Sequence, residues 1–217
     1  MNSKLKTLVT IPAALSLCIA TSGVAAASGD LRDSHAFGES VSTCQARTLD
    51  SAGVDGQLVC KIIEVGRHIK PSKDGKHLQT TLSDTQLIQK YAFSEDNLKD
   101  FHSVLQGTYT PPVSQLNNIV ERSGPRFYIS ADDLKFGIFA TLFTASQVGP
   151  EALAAAAVVV SSAIGGPVGA ALAGGVALLG IGFFIDLAAK IVGAVAQNKG
   201  IAFYPQWGFP PVRIEIE

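Results

Sequence analysis

The sequence predicts an α+β protein, predominantly helical. A small disulfide-tied β-hairpin region is followed by helices around a central Gly/Ala-rich hydrophobic helical hairpin. Three observations predict it. Thirty-four residues, Ala152 to Ile185, carry no charge between Glu151 and Asp186. Gly165-Gly166-Pro167 interrupts that run with residues that break a straight helix. Upstream, a polar segment places Cys44 and Cys60 among short apolar alternations and turn residues.

Residues 1–27 read as a signal peptide. Lys4 and Lys6 form a basic n-region, "LVTIPAALSLCIA" an apolar h-region, and Ala25-Ala26-Ala27 the small residues of a cleavage site. Leu17 precedes Cys18 where a lipoprotein signal needs a small residue, so no lipid anchor is expected. Cleavage leaves residues 28–217 and takes the formal net charge from −1 to −3, a balance that does not suit nucleic acid. The expected location is secreted or cell-envelope associated. Cys44 and Cys60 remain, and an even pair in an exported chain reads as one disulfide.

Residues 28–130 form the polar α+β region. In "GQLVCKIIEVGRHI" the β-branched residues and short alternation predict a strand; "KPSKDGK" supplies a turn through Pro71 and Asp74-Gly75, and "HLQTTL" the returning strand. The disulfide is expected to tie this hairpin to the Cys44 segment. Leu87, Ile88 and Tyr91 have helical spacing in "SDTQLIQKYAF". "SEDNLKDFHSVLQG" has Ser94 as N-cap, acids in its first turn, an apolar face of Leu98, Phe101 and Leu105, and Gly107 as stop. A further short helix is expected over 114–122. "PRFYIS" is strand-like, and Ser130 with Asp133 caps a helix over 131–147.

Residues 131–200 form the hydrophobic helical region, with its hairpin turn at Gly165, Gly166 and Pro167. An unbroken helix over the charge-free run would measure about 50 Å against a bilayer core of about 30 Å. Its first arm, Ala152 to Ile164, would reach about 20 Å; the second, Pro167 through Ile185 and onward, about 28 Å. The first arm is therefore too short to span, and extending it would carry Pro150 and Glu151 into lipid, where a carboxylate costs about 3 kcal/mol. Gly165/Gly169, Ala170/Gly174 and Ala171/Gly175 have the small-xxx-small spacing of closely packed helices in either solvent. Glu151, Asp186 and Lys190 bracket the run, the last two as an i,i+4 pair. Residues 201–217 are an aromatic, proline-rich tail whose Val212, Ile214 and Ile216 alternate as a final strand.

In layout, over roughly residues 131–200, the chain resembles the channel-forming colicins, which carry a hydrophobic helical hairpin near the C-terminus of a soluble bundle. No motif is shared. The signal segment, the disulfide and the modest charge depart from that family.

Two functional readings follow. The leading one is a secreted membrane-active protein, pore-forming or bacteriocin/toxin-like, that inserts the hairpin; its membrane-contact residues are Val168, Leu172, Val176, Leu179, Phe183, Phe184 and Trp207. The alternative is a non-enzymatic envelope or binding protein in which the apolar hairpin is only a core. Expected partners are a lipid membrane and further copies of the chain. Walker, dinucleotide, nucleophile-elbow and zincin motifs are absent from the sequence, so neither catalytic residue nor cofactor is expected. His68 and His77 around Asp74 lack a diagnostic metal-ligand spacing, and Arg67, Lys70, Lys73 and Lys76 read as a solvated basic loop.

Overall fold

Asp55 starts helix α1 (Gly56–Val65) by accepting a hydrogen bond from the Leu58 backbone N–H at 2.9 Å. A computed structural model describes Cys44, Leu49, Asp50, residues 53–111 and residues 126–217. The signal peptide expected over 1–27 and the helix expected over 114–122 lie outside the described residues. In α1, Leu58, Val59, Ile62, Ile63 and Val65 are buried. This corrects the strand expected over "GQLVCKIIEVGRHI", of which only the last residue, Ile69, enters a strand, Ile69–Pro71. That strand, β1, pairs antiparallel with β2 (Leu78–Thr80), Ile69 opposite Thr80. Ser72 closes their turn, its hydroxyl donating to Asp74 Oδ1 at 2.5 Å; this bond, ahead of one from the Lys76 N–H, holds the Asp74 carboxyl below its usual range.

Cys44 and Cys60 form a disulfide with a Cα–Cα distance of 5.6 Å. Because Cys60 lies within α1, the bridge ties the Cys44 segment to a helix rather than to the hairpin. In the chain-entropy model a loop of this length contributes about 3 kcal/mol.

Helices α2 (Asp84–Tyr91) and α3 (Glu95–Gln106) stand where their signals place them. Ser83 and Gln86 make a capping box, Ser94 caps α3 and Gly107 ends it in the left-handed conformation. Strand β3 (Phe127–Ile129) leads into α4 (Ala131–Phe136), which Ser130 caps by accepting from the Asp133 N–H. The single helix expected over 131–147 is two, because the chain turns extended at Gly137; α5 (Ala140–Val148) follows.

Next come α6 (Pro150–Ile164), α7 (Gly166–Ala173), α8 (Gly175–Leu179) and α9 (Ile181–Gln197). Strands β4 (Ile201–Pro205) and β5 (Val212–Ile216) complete a three-stranded antiparallel sheet in the order β3-β4-β5. The final strand is as expected, whereas β4 was not foreseen. Phe127 stands opposite Phe203 and Ile201 opposite Ile216. The described residues thus form a mixed structure of helices with two small antiparallel sheets.

Helix α6 lies at the centre of the packing, touching α1, α3, α5, α7, α8, α9 and β1. Every residue from Ala152 to Ser162 is buried, as is Ile164. A helix apolar on all sides requires apolar cover on all sides, and here the largely apolar α5 and α7 supply it together with the amphipathic α1, α3 and α9. Its two buried polar side chains both have partners. Ser161 Oγ donates to the Val158 carbonyl at 2.6 Å, and Ser162 Oγ to those of Val159 and Gly53 at 3.3 Å.

Candidate functional site

The charge-free run begins where Gly149 and Pro150 open α6, proline serving as a first-turn residue whose missing N–H leaves no helical bond unmade. Glu151 follows in the first turn, where a carboxylate complements the helix dipole. At the far end Gly165 and Gly166 have φ of 63° and 57°, and the chain reverses there so that α7 packs back on α6. Gly169 fits this contact because a Cβ there would come within 2.6 Å of the Ser161 carbonyl oxygen.

The second arm differs from the single helix expected through Ile185. It is three helices, α7, α8 and the start of α9, and its joints are glycines. Gly175 has φ +52°, and Gly180 has φ +74° with ψ 153°, a conformation costly to any residue with a Cβ. These two positions allow an apolar segment to fold in short pieces over α6 instead of extending as one rod. Among the described residues, no helix is long and apolar enough to cross a membrane.

The expected membrane-contact residues divide sharply. Val168, Leu172, Val176, Leu179, Phe183 and Phe184 are all buried, so in this state they belong to the core. Trp207 alone is fully exposed. The bracket pair meets: Lys190 Nζ donates to Asp186 Oδ2 at 2.7 Å and to the Ile214 carbonyl at 2.8 Å, fastening α9 to β5. Lys190 therefore positions the second arm as well as marking its end.

Sequence reasoning missed the outer face of α9. Leu187 and Ile191 point inward, while Ile185 and Val192 are 55% and 41% exposed. Gly182, Ile185, Ala189, Val192 and Ala196 are all exposed and recur at alternating steps of three and four, a stripe legible in the sequence. Of the tail aromatics that the sequence offers as an interfacial belt or a core cap, Phe203, Tyr204, Trp207 and Phe209, Phe203 is buried while Phe209 is 76% exposed near Trp207.

Electrostatic features lie elsewhere. Glu217 accepts from Tyr204 and pairs with Arg126 across the sheet; the Tyr204 bond first, then Arg126, holds its carboxyl below the usual range. His102 Nε2 lies 3.0 Å from Asp84 Oδ1 between α2 and α3, both side chains largely in solvent. His77 is 3.9 Å from Asp74, and His68 meets Tyr91 across 3.4 Å. Among the described residues no group of three or more side chains is arranged to hold a metal ion. No family model matches the chain, and neither does any curated protein or solved structure.

Proposed function

We propose that this is an exported, non-enzymatic, membrane-active protein, pore-forming or toxin-like in mode, whose central helical hairpin is stored as a core and released into lipid. One observation carries the reading: the uncharged segment from Gly166 to Ile185 is divided only at glycines. Straightened, those twenty residues make a helix of about 30 Å, the thickness of a bilayer core. Unbending requires Gly175 and Gly180 to become ordinary helical residues, which glycine does without steric change; Gly174 is already right-handed.

The first arm adds to this picture without spanning. Helix α6, at about 22 Å, falls short of the hydrocarbon thickness, and its serines already bond their own helix, as hydroxyls in lipid must. It would accompany the second arm as a partly inserted limb, held by the small faces of Gly165/Gly169 and Ala171/Gly175. Association of several copies would surround the inserted segments and shield their polar ends.

A second reading rests on burial. Six of the seven expected contact residues are core residues in the folded state, which suits an envelope or binding protein whose apolar hairpin only stabilises the fold. Release of an encapsulated dye from liposomes, at neutral and at acidic pH, separates the two. Membrane activity predicts leakage under at least one condition, accompanied by co-sedimentation with lipid. Silence in both assays at both pH values contradicts it.

A further inference from the structure

We propose that the loop between β4 and β5, with the outer face of α9, docks on a bilayer of zwitterionic headgroups, Trp207 and Phe209 entering the acyl boundary. The proposal rests on the membrane-active reading and names the lipid class and contact surface. The loop is built to present these rings. Strands β4 and β5 stay paired up to Pro205 opposite Val212. Gln206 then closes the end, its N–H donating to the Pro211 carbonyl at 2.9 Å and its side-chain amide to Pro210 at 2.8 Å. A fixed loop loses little freedom on binding. Trp207 and Phe209 nevertheless bury almost nothing, at 103% and 76% exposure.

The surface continues onto α9. A Cβ built on Gly180 would lie 3.8 Å from the Phe209 ring, and nothing lies within 4 Å of one on Gly182. Phe209, Pro210, Gly182 and Phe183 line a groove of about 500 Å³ there. From Gly182 the exposed apolar stripe runs through Ile185 and Ala189 to Val192. The loop itself carries no charge: from Gly200 to Val212 there is no ionisable acid or base apart from Tyr204. Tryptophan and phenylalanine over an apolar helix face are the side chains that settle at the boundary of headgroup and acyl chain.

The charges at the edge choose the lipid. Lys190 pairs with Asp186 and Arg213 with Glu215, so each cation carries its own carboxylate and the local sum is zero. Such a rim complements a headgroup bearing phosphate and ammonium together; attraction to an anionic surface requires an excess of cations. A second copy of the chain suits the surface less well. Stripe against stripe, α9 offers about 25 Å by 10 Å, roughly 250 Å² per copy. The Trp207 and Phe209 rings add about 150–250 Å² each, a sum still short of about 800 Å² per partner in a stable complex.

Trp207 is the single tryptophan of the chain, so its emission reports this surface directly. On titrating the purified protein with phosphatidylcholine vesicles, emission is expected to shift to the blue and to be quenched by lipids brominated along the acyl chain. High salt should leave the partition coefficient unchanged. Phe209→Ser should lower that coefficient ~10-fold without altering the melting temperature, since the ring leaves no cavity behind. Unshifted emission overturns the proposal, as does binding that requires anionic lipid and vanishes in salt. A shift that follows protein concentration without vesicles assigns the surface to a second copy and also overturns it. Docking without dye leakage contradicts hairpin insertion and leaves this surface standing; leakage with Trp207 still in water does the reverse.

Discussion

Replacing Gly175 and Gly180 together by alanine is expected to lower the stability of the folded protein by about 2–4 kcal/mol while increasing liposome leakage. Both effects have one origin. In the folded state Gly175 is left-handed and Gly180 lies in a region open mainly to glycine, so a Cβ at each is strained. At Gly175 the new methyl would also meet Val158 Cγ2 at 3.0 Å. In a straight helix the preference reverses, alanine being better than glycine by about 1 kcal/mol per site. The substitutions therefore penalise the stored form and favour the extended one. Urea denaturation reads the first change and dye release the second. If the glycines serve only the core, leakage does not rise as stability falls. Against a total stability of about 5–15 kcal/mol, the shift leaves most of the protein folded before it meets lipid.

Phe184→Ala is expected to cost about 3–5 kcal/mol, the largest single loss foreseen for a side chain of the second arm. Phe184 is completely buried, with the Phe183 ring edge-on at a centroid distance of 5.3 Å. Removing it leaves a cavity beneath α9, on the cover that α9 provides for α6. Phe209→Ser is the contrasting change, because an exposed ring contributes about 0.5 kcal/mol or less to folding. Thermal melting of the two variants separates the residues that hold the arm down from those that face outward. Equal losses would mean that the loop carrying Phe209 belongs to the core.

Much of the architecture was legible because local chemistry and tertiary packing agree. Ser94 and Ser130 each open a helix, and Gly107 closes one, as capping physics requires. The turn through Pro71 and Asp74-Gly75 was equally plain. Helix α1 failed because its run of Leu58, Val59, Ile62 and Ile63 is short and apolar, where strand and buried helix look alike. Asp55 was the discriminating signal, a cap three residues before Leu58.

Non-local features were hidden for a different reason. Strand β4 pairs with β3, and Phe203 meets Phe127 across a long stretch of intervening chain that no local pattern encodes. The division of the second arm was written in Gly174, Gly175 and Gly180, yet glycine in an apolar helix serves equally as a close-packing residue and as a joint. Only the positive φ at Gly175 and Gly180 distinguishes them. The outer stripe of α9 was obscured by its charges. Asp186 and Lys190 look like the solvent face of an amphipathic helix, but Lys190 is directed to the Ile214 carbonyl of β5, which turns Ile185 and Val192 outward.

Central to this account is the second arm leaving its shell, and a staple tests that step. A Cβ on Gly107, at the end of α3, would lie 4.0 Å from Ala177 Cβ on α8, within the range a disulfide accepts. The φ of +70° at Gly107 strains any side chain there by about 1–2 kcal/mol, a cost that the oxidised and reduced variant share. The measurement is dye release from liposomes by the Gly107→Cys/Ala177→Cys variant, oxidised and then reduced, beside the unmodified protein treated identically. Release blocked in the oxidised variant and restored by reductant, with the unmodified protein active throughout, is the predicted result. Undiminished release from the oxidised, stapled protein would contradict it.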